Sequence, residues 1–154
     1  MWKSAILADE PTVAQIRFAQ PELVAKIDAM LFQTDDPSSC FYDEVTTQGR
    51  APSLADMLNS DSAIFIVGMR GKPLGCVAVD THADPPYVRS LCIDHSERGH
   101  GVGSVVLKHL QRLFPTLHLT VFRANPRVMR FYAQHGFKVG EFKAPYLHMY
   151  YDRA

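Results

Sequence analysis

Leu91-Cys92-Ile93-Asp94-His95-Ser96-Glu97-Arg98-Gly99-His100-Gly101-Val102-Gly103-Ser104 is the stretch on which the reading of the chain turns. An apolar run leads into glycines at alternating positions, Gly99, Gly101 and Gly103. Beyond them Val102, Val105, Val106, Leu110 and Leu113 recur at the spacing that lines one face of a helix, and Pro115 stops it. Glycine lets a backbone approach a ligand closely and take positive φ. A helix start adds unpaired N–H groups and about half a unit of positive charge. Strand, glycine turn and helix together predict an anion site, most naturally for phosphate. Two phosphate motifs do not fit. The loop G-x-x-x-x-G-K-[ST] needs a lysine that this turn lacks, and the dinucleotide fingerprint G-x-G-x-x-G needs glycine where Ser104 stands.

The pattern extends outward on both sides. Upstream, residues 63–69 read as a strand, Gly71-Lys72-Pro73 as a turn, and residues 74–80 as the returning strand. Pro85-Pro86 punctuates the chain before a further strand over 87–93. Downstream, Leu117, Leu119 and Val121 alternate as a strand. Asn125-Pro126 has the form of a helix start, and Gly136 fits the position just past that helix's end. Residues 137–139 and 146–151 close the chain as strands. Nearer the N-terminus, residues 2–7 predict a short strand and Asp9-Glu10-Pro11 a helix start. Pro21 begins a second helical stretch, with Val24, Ile27 and Leu31 on one face to about Phe32. A polar loop over 34–50 follows, then a short helix opened by Ser53-Leu54-Ala55-Asp56 and running to about Leu58. The order β-α-α-ββ-β-α-β-α-β-β is that of a mixed α/β layer structure.

The 154 residues suit one domain, and a 47% hydrophobic, 21% charged composition is that of an ordinary globular protein. The formal net charge of zero disfavours a protein that coats nucleic acid. No apolar run approaches the roughly 20 residues that a membrane helix needs. The first ten residues have no long apolar stretch before their acids, so they do not read as a signal peptide. Cys40, Cys76 and Cys92 are odd in number and lack a C-x-x-C spacing, which predicts reduced thiols in a cytoplasmic protein. Cys92, His95 and His100 do not have a zinc spacing, and no metal is expected. The zero balance hides an asymmetry: residues 1–62 carry ten acids against four bases, and residues 98–130 carry six bases and no acid. An anionic ligand at the second segment and a cationic one near the first would explain it, as would solvated faces.

Arg98-Gly99-His100-Gly101-Val102-Gly103 resembles the R/Q-x-x-G-x-G/A signature of the GNAT superfamily of acyl-CoA-dependent N-acetyltransferases. Residues 125–137, N-P-R-V-M-R-F-Y-A-Q-H-G-F, are similar to that family's N-x-x-x-x-x-[FL]-Y-x-x-x-G-F element, which follows after one helix and one strand. The resemblance covers about residues 62–151. It implies a single domain over 1–154, an α/β fold with a mixed, mainly antiparallel sheet, helices on both faces and a splayed central strand pair. The implied activity is transfer of an acetyl group from acetyl-CoA to a primary amine by direct attack in a ternary complex. A catalytically silent coenzyme A-binding regulatory module, or an acetyltransferase acting on aminoacyl-tRNA, are the alternatives. A homodimer is left open, and no membrane partner is implied.

The resemblance also implies roles. Leu91, Cys92 and Ile93 would border the pantetheine arm, which adds to a sheet edge as a strand does. Arg98, Gly99, His100, Gly101, Val102, Gly103 and Ser104 would hold the pyrophosphate. Lys108, Arg127 and Arg130 are candidates for other phosphates, and Asn125 for the pantetheine arm or simply as an N-cap. Tyr132 would donate a proton or hydrogen bond to the departing thiolate. A backbone N–H near Ile93 would polarise the thioester carbonyl. No conventional base is present: Thr120 and Arg89 stand where relatives place a glutamate, and His82, His118, His148, Asp80 and Asp84 are polar groups near the expected cleft. The cost of neutralising a lysine-type amine of pKa ~10.4 at pH 7 tilts the reading toward an amine of lower pKa. Asp35, Asp36, Asp43 and Glu44, with Phe41 and Tyr42 among them, would form an acceptor wall for a cationic amine, or a solvated loop.

Overall fold

A computed structural model of the chain describes residues 7–16, 62–93, 101–122 and 126–153. Seven strands are described: β1 (Thr12–Ile16), β2 (Ser62–Met69), β3 (Lys72–Asp80), β4 (Tyr87–Ile93), β5 (Thr116–Phe122), β6 (Lys138–Lys143) and β7 (Tyr146–Asp152). Of these β5 and β7 alternate in their apolar residues, whereas β2 and β3 are apolar runs buried on both faces. Two helices are described, α1 (Val102–Leu113) and α2 (Pro126–Gln134). The strands form one sheet in the order β1-β2-β3-β4-β5-β7-β6. Every neighbour is antiparallel except β4 and β5. That exception is forced by α1, which returns the chain between two strands running the same way.

Register sorts the side chains onto two faces. Phe65, Val67, Val77, Val79, Leu119, Val121 and Met149 occupy one face and are buried with Val102, Val106, Leu107 and Leu110 of α1. Partners across the ladder share a face, so Ile64 with Ala78 and Ile66 with Cys76 lie on the other. The same register carries Asp80, Tyr87, His118 and Tyr150 in one row across that second face, with Thr120 and His148 in the next row.

The sequence expectations for β2, β3, β4, β5, β7 and both helices agree with these elements. Three details differ. The acids and proline at 9–11 do not begin a helix: Thr12–Ile16 is a strand paired with Ile64 to Gly68. Its β-branched residues fit the pleat, and pairing along all five residues outweighs the local helix-start signal. Leu107 is fully buried, whereas Leu113 is 52% exposed. The reason is the helix end, where extended Phe114 returns its N–H to Leu110 and the chain leaves for β5. Finally, β6 starts at Lys138 and is exposed along its length. Of the strand expected at 2–7 only Leu7 is described, and it is helical. The expected elements at 21–32 and 53–58 and the loop at 34–50 lie outside the described residues. No described helix is long and apolar enough to cross a membrane.

Candidate active site

β4 and β5 part company almost as soon as they meet. Among the described residues Tyr87 and His118 are their only ladder pair, supported by the His118 N–H donating to the Pro86 carbonyl at 2.9 Å. Beyond this pair no ladder joins the two described strands, and a wedge opens between them. A wedge between two unpaired strand edges suits an extended molecule with amide groups of its own. On its other side β4 carries one residue more than β3 between the pairs Ala78 with Arg89 and Cys76 with Cys92. Such a bulge takes a backbone group out of the ladder beside the wedge. Leu91 and Ile93 lie partly buried against the core there, and the backbone of Cys92 is paired with Cys76.

The wedge opens toward the start of α1. Gly101 is the N-cap, left-handed at φ 81°, and it gives the helix no side-chain cap. A side chain in that conformation costs about 1–2 kcal/mol. A Cβ built at Gly101 would meet nothing within 4 Å. Glycine is therefore set here by backbone conformation, and the space beside it is open. The first helical bond runs from Val105 N–H to the Gly101 carbonyl at 3.2 Å, so the N–H groups of Val102, Gly103 and Ser104 have no helical acceptor. The first turn contains no acid. Gly103 serves differently: a Cβ there would lie 3.1 Å from Phe131 and 3.9 Å from Ile93, so its lack of a side chain lets α1 close against α2 and β4.

α2 carries Tyr132 near Tyr87 of β4, and the way the helix ends fixes that residue. The Phe137 N–H donates to the Tyr132 carbonyl at 3.1 Å, and the Gly136 N–H to the Ala133 carbonyl at 3.1 Å, with Gly136 at φ 84°. This pairing with a left-handed glycine is a Schellman motif. Its hydrophobic contact is present too, as the Phe137 ring meets the Tyr132 ring edge-on at 5.4 Å. Phe131 packs on the other side at 5.2 Å. The sequence pattern Y-x-x-x-G-F is thus a helix terminator that grips its own tyrosine. Gln111 Nε2 ties α1 to the same place by donating to the His135 carbonyl at 2.6 Å. Burial, and secondarily Tyr87, push the Tyr132 phenol well above its ordinary pKa, so it stays protonated.

Across the wedge, on the second face, the Tyr87 hydroxyl is 2.8 Å from Thr120 Oγ1, linking β4 to β5 just past their last pair. His118 lies against Tyr87 at 4.8 Å and stacks on Tyr150 at 6.1 Å. Its pKa is lowered by burial first and then by His148, against an upward pull from Asp80 and from the backbone at Pro85. His148 also stacks on Tyr150, at 6.3 Å. Gly140 on β6 makes room for Tyr150, since a Cβ there would run into that ring.

The structure therefore brings together Leu91, Ile93, Gly101, Val102, Gly103, Ser104, Tyr132 and Thr120 around one wedge, with His118 and His148 on its second face. His82 and Asp84 lie exposed in the turn after β3, where Asp80 accepts the His82 N–H at 3.0 Å. Lys108, Arg127 and Arg130 are on exposed positions of the helices. Arg98, Gly99, His100 and Asn125, and the acidic residues of 34–50, lie outside the described residues. Sequence reasoning missed Tyr87. Only the register that sets it across from His118, with its hydroxyl on Thr120, marks it out, and nothing local in Pro86-Tyr87-Val88 announces that. Among the described residues no cluster of three or more His, Cys, Asp or Glu could hold a metal ion.

Residues 60–139 match the family described as acetyltransferase (GNAT) domain. No curated protein matches the chain. Solved structures do share its fold. The PaiA N-acetyltransferase from Thermoplasma acidophilum in complex with coenzyme A is 15% identical, with 92% of this chain and 99% of that one covered and a TM-score of 0.65. An acetyltransferase from Thermus thermophilus is 17% identical, with coverages of 95% and 97% and a TM-score of 0.67. A GNAT family acetyltransferase from Elizabethkingia anophelis with acetyl-CoA bound is 11% identical, with coverages of 94% and 99% and a TM-score of 0.59.

Proposed function

Because the chain belongs to the GNAT acetyltransferase family, we propose that it transfers the acetyl group of acetyl-CoA to a primary amine by direct attack within the β4–β5 wedge. The observation that carries this reading is the wedge itself, with Gly101 at its mouth and Tyr132 facing it. The N–H groups of Val102, Gly103 and Ser104 and the positive end of α1 suit the pyrophosphate. The unpaired edges of β4 and β5 suit the two amides of the pantetheine arm. Complexes of similarly folded proteins with coenzyme A and acetyl-CoA support the same cosubstrate.

Tyr132 then meets the sulfur. The ordinary acidity of a phenol already decides which role it takes, and burial pushes it further the same way. A phenol of pKa above about 10 is a weaker acid than a thiol near 8.5, so full proton transfer to the thiolate is uphill by about 2 kcal/mol or more. Donating a hydrogen bond to the developing thiolate carries no such penalty, and in a dry site it is worth about 10²–10³ in rate. The rest of the gain comes from holding both reactants in one cleft. The test is thiol release from acetyl-CoA in the presence of glycinamide, a tetrapeptide, Nα-acetyllysinamide or tyramine. Amine-dependent release by the wild type supports the reading, and coenzyme A binding without release by any amine supports a silent module instead.

A further inference from the structure

A carboxylate is missing from both strand positions where one is expected, since Thr120 holds the Tyr87 hydroxyl and Arg89 is a base. Register shows what stands beside the gap. Thr120 on β5 is paired with His148 on β7, in the first row past the last β4–β5 pair. His148 Nδ1 is buried and has no hydrogen-bond partner. A buried, unsatisfied ring nitrogen costs about 1–3 kcal/mol, so its retention needs a reason. It differs from His118, which sits at the closed end of the wedge, in the one row where β4 and β5 pair. We propose that His148 Nδ1 is the base that receives the acceptor amine's proton, across the sheet from the thioester and beside the Thr120–Tyr87 hydrogen bond. The proposal rests on the acetyl-transfer reading above.

The step balances as follows. The ammonium of the acceptor gives one proton to Nδ1, freeing its electron pair. That pair forms the C–N bond as the C–S bond breaks, and the sulfur leaves with its pair under the Tyr132 hydrogen bond. The second nitrogen proton is lost from the new amide. One proton ends on the thiol, and one passes from the imidazole to solvent. The groups around Nδ1 allow this. Tyr150 stacks on the ring, Thr120 with its Tyr87 hydrogen bond is the ladder partner of His148, and His118 and Asp80 stand in the neighbouring row. On β6 Glu141 is engaged by Lys143 at 3.8 Å, and Lys138 is paired with Tyr150.

His148→Gln keeps a polar side chain of similar reach without the base. With an acetylated amine from the panel, its kcat/KM for amine should fall about 10²–10⁴-fold and lose the acid limb of the pH profile. Its acetyl-CoA KM and calorimetric coenzyme A affinity should not change, which separates a lost base from a lost fold. Retention of wild-type kcat/KM and of the acid limb in His148→Gln overturns the base alone. A wild type that binds coenzyme A but acetylates no amine overturns the transfer reading and the base together. A second measurement needs no variant. Ring ¹⁵N shifts of the full chain at neutral pH should show His148 with its proton on Nε2 and the lone pair on Nδ1, and a proton on Nδ1 contradicts the assignment.

Discussion

Tyr132 makes the sharpest statement at the scale of a residue. Its ring is held between Phe131 and Phe137 and its phenol is kept protonated by burial. Tyr132→Phe keeps the packing and removes only the hydroxyl. If the hydroxyl donates to the departing sulfur, kcat should fall about 10²–10³-fold while coenzyme A affinity stays within a factor of about two. Steady-state rates with calorimetry check both halves. A wild-type kcat with chemistry rate-limiting would return Tyr132 to a purely packing role. The residue was legible in the sequence, because Phe131-Tyr132 and Gly136-Phe137 stand in a local pattern. Tyr87 was not, and His148 stood only as one of five polar groups near the expected cleft, because what distinguishes them is their alignment with Thr120 across strands 28 and 33 residues away in the chain.

At the scale of an element, the end of α2 is the device that fixes the site. The left-handed Gly136 lets the Phe137 N–H turn back to the Tyr132 carbonyl. Gly136→Ala should cost about 1–2 kcal/mol in urea unfolding, the penalty of a Cβ at positive φ. It should also lower kcat without raising the coenzyme A Kd in proportion, since Tyr132 loses its anchor before the glycine turn is disturbed. Unchanged stability and kcat would mean that α2 does not depend on this terminator. Local signals of this kind, glycines and prolines at helix ends, are why both helices could be bounded from sequence. β1 could not: Asp9-Glu10-Pro11 satisfies the rules for a helix start, and only pairing with β2, some 50 residues on, makes Thr12–Ile16 a strand. The wedge was implied by family resemblance and by no periodicity, since the missing β4–β5 pairs leave no trace in either strand's own pattern.

At the scale of the whole molecule, two imidazoles link stability to acidity. His109 on α1 lies edge-on to Phe65 at 5.8 Å, and burial, then Arg112, lowers its pKa. His118 is lowered as well, first by burial. In the unfolded chain both titrate near about 6.5, so just below that value the unfolded state binds more protons than the folded one. Their contribution is complete above about pH 6.5 and is lost as the pH falls through the folded values. The urea midpoint should therefore drop between about pH 7 and about pH 5.5, before the carboxylates titrate, and His109→Gln should flatten the slope. A midpoint constant over that range contradicts the assignment. The central claim is that the glycine turn and the wedge bind coenzyme A, and calorimetric titration of coenzyme A into the wild type and Gly101→Glu tests it most directly. The account predicts one site in the wild type and none in a folded Gly101→Glu, where a side chain and a negative charge occupy the open space at the start of α1. Equal binding by both proteins, or no binding by the wild type, would contradict it.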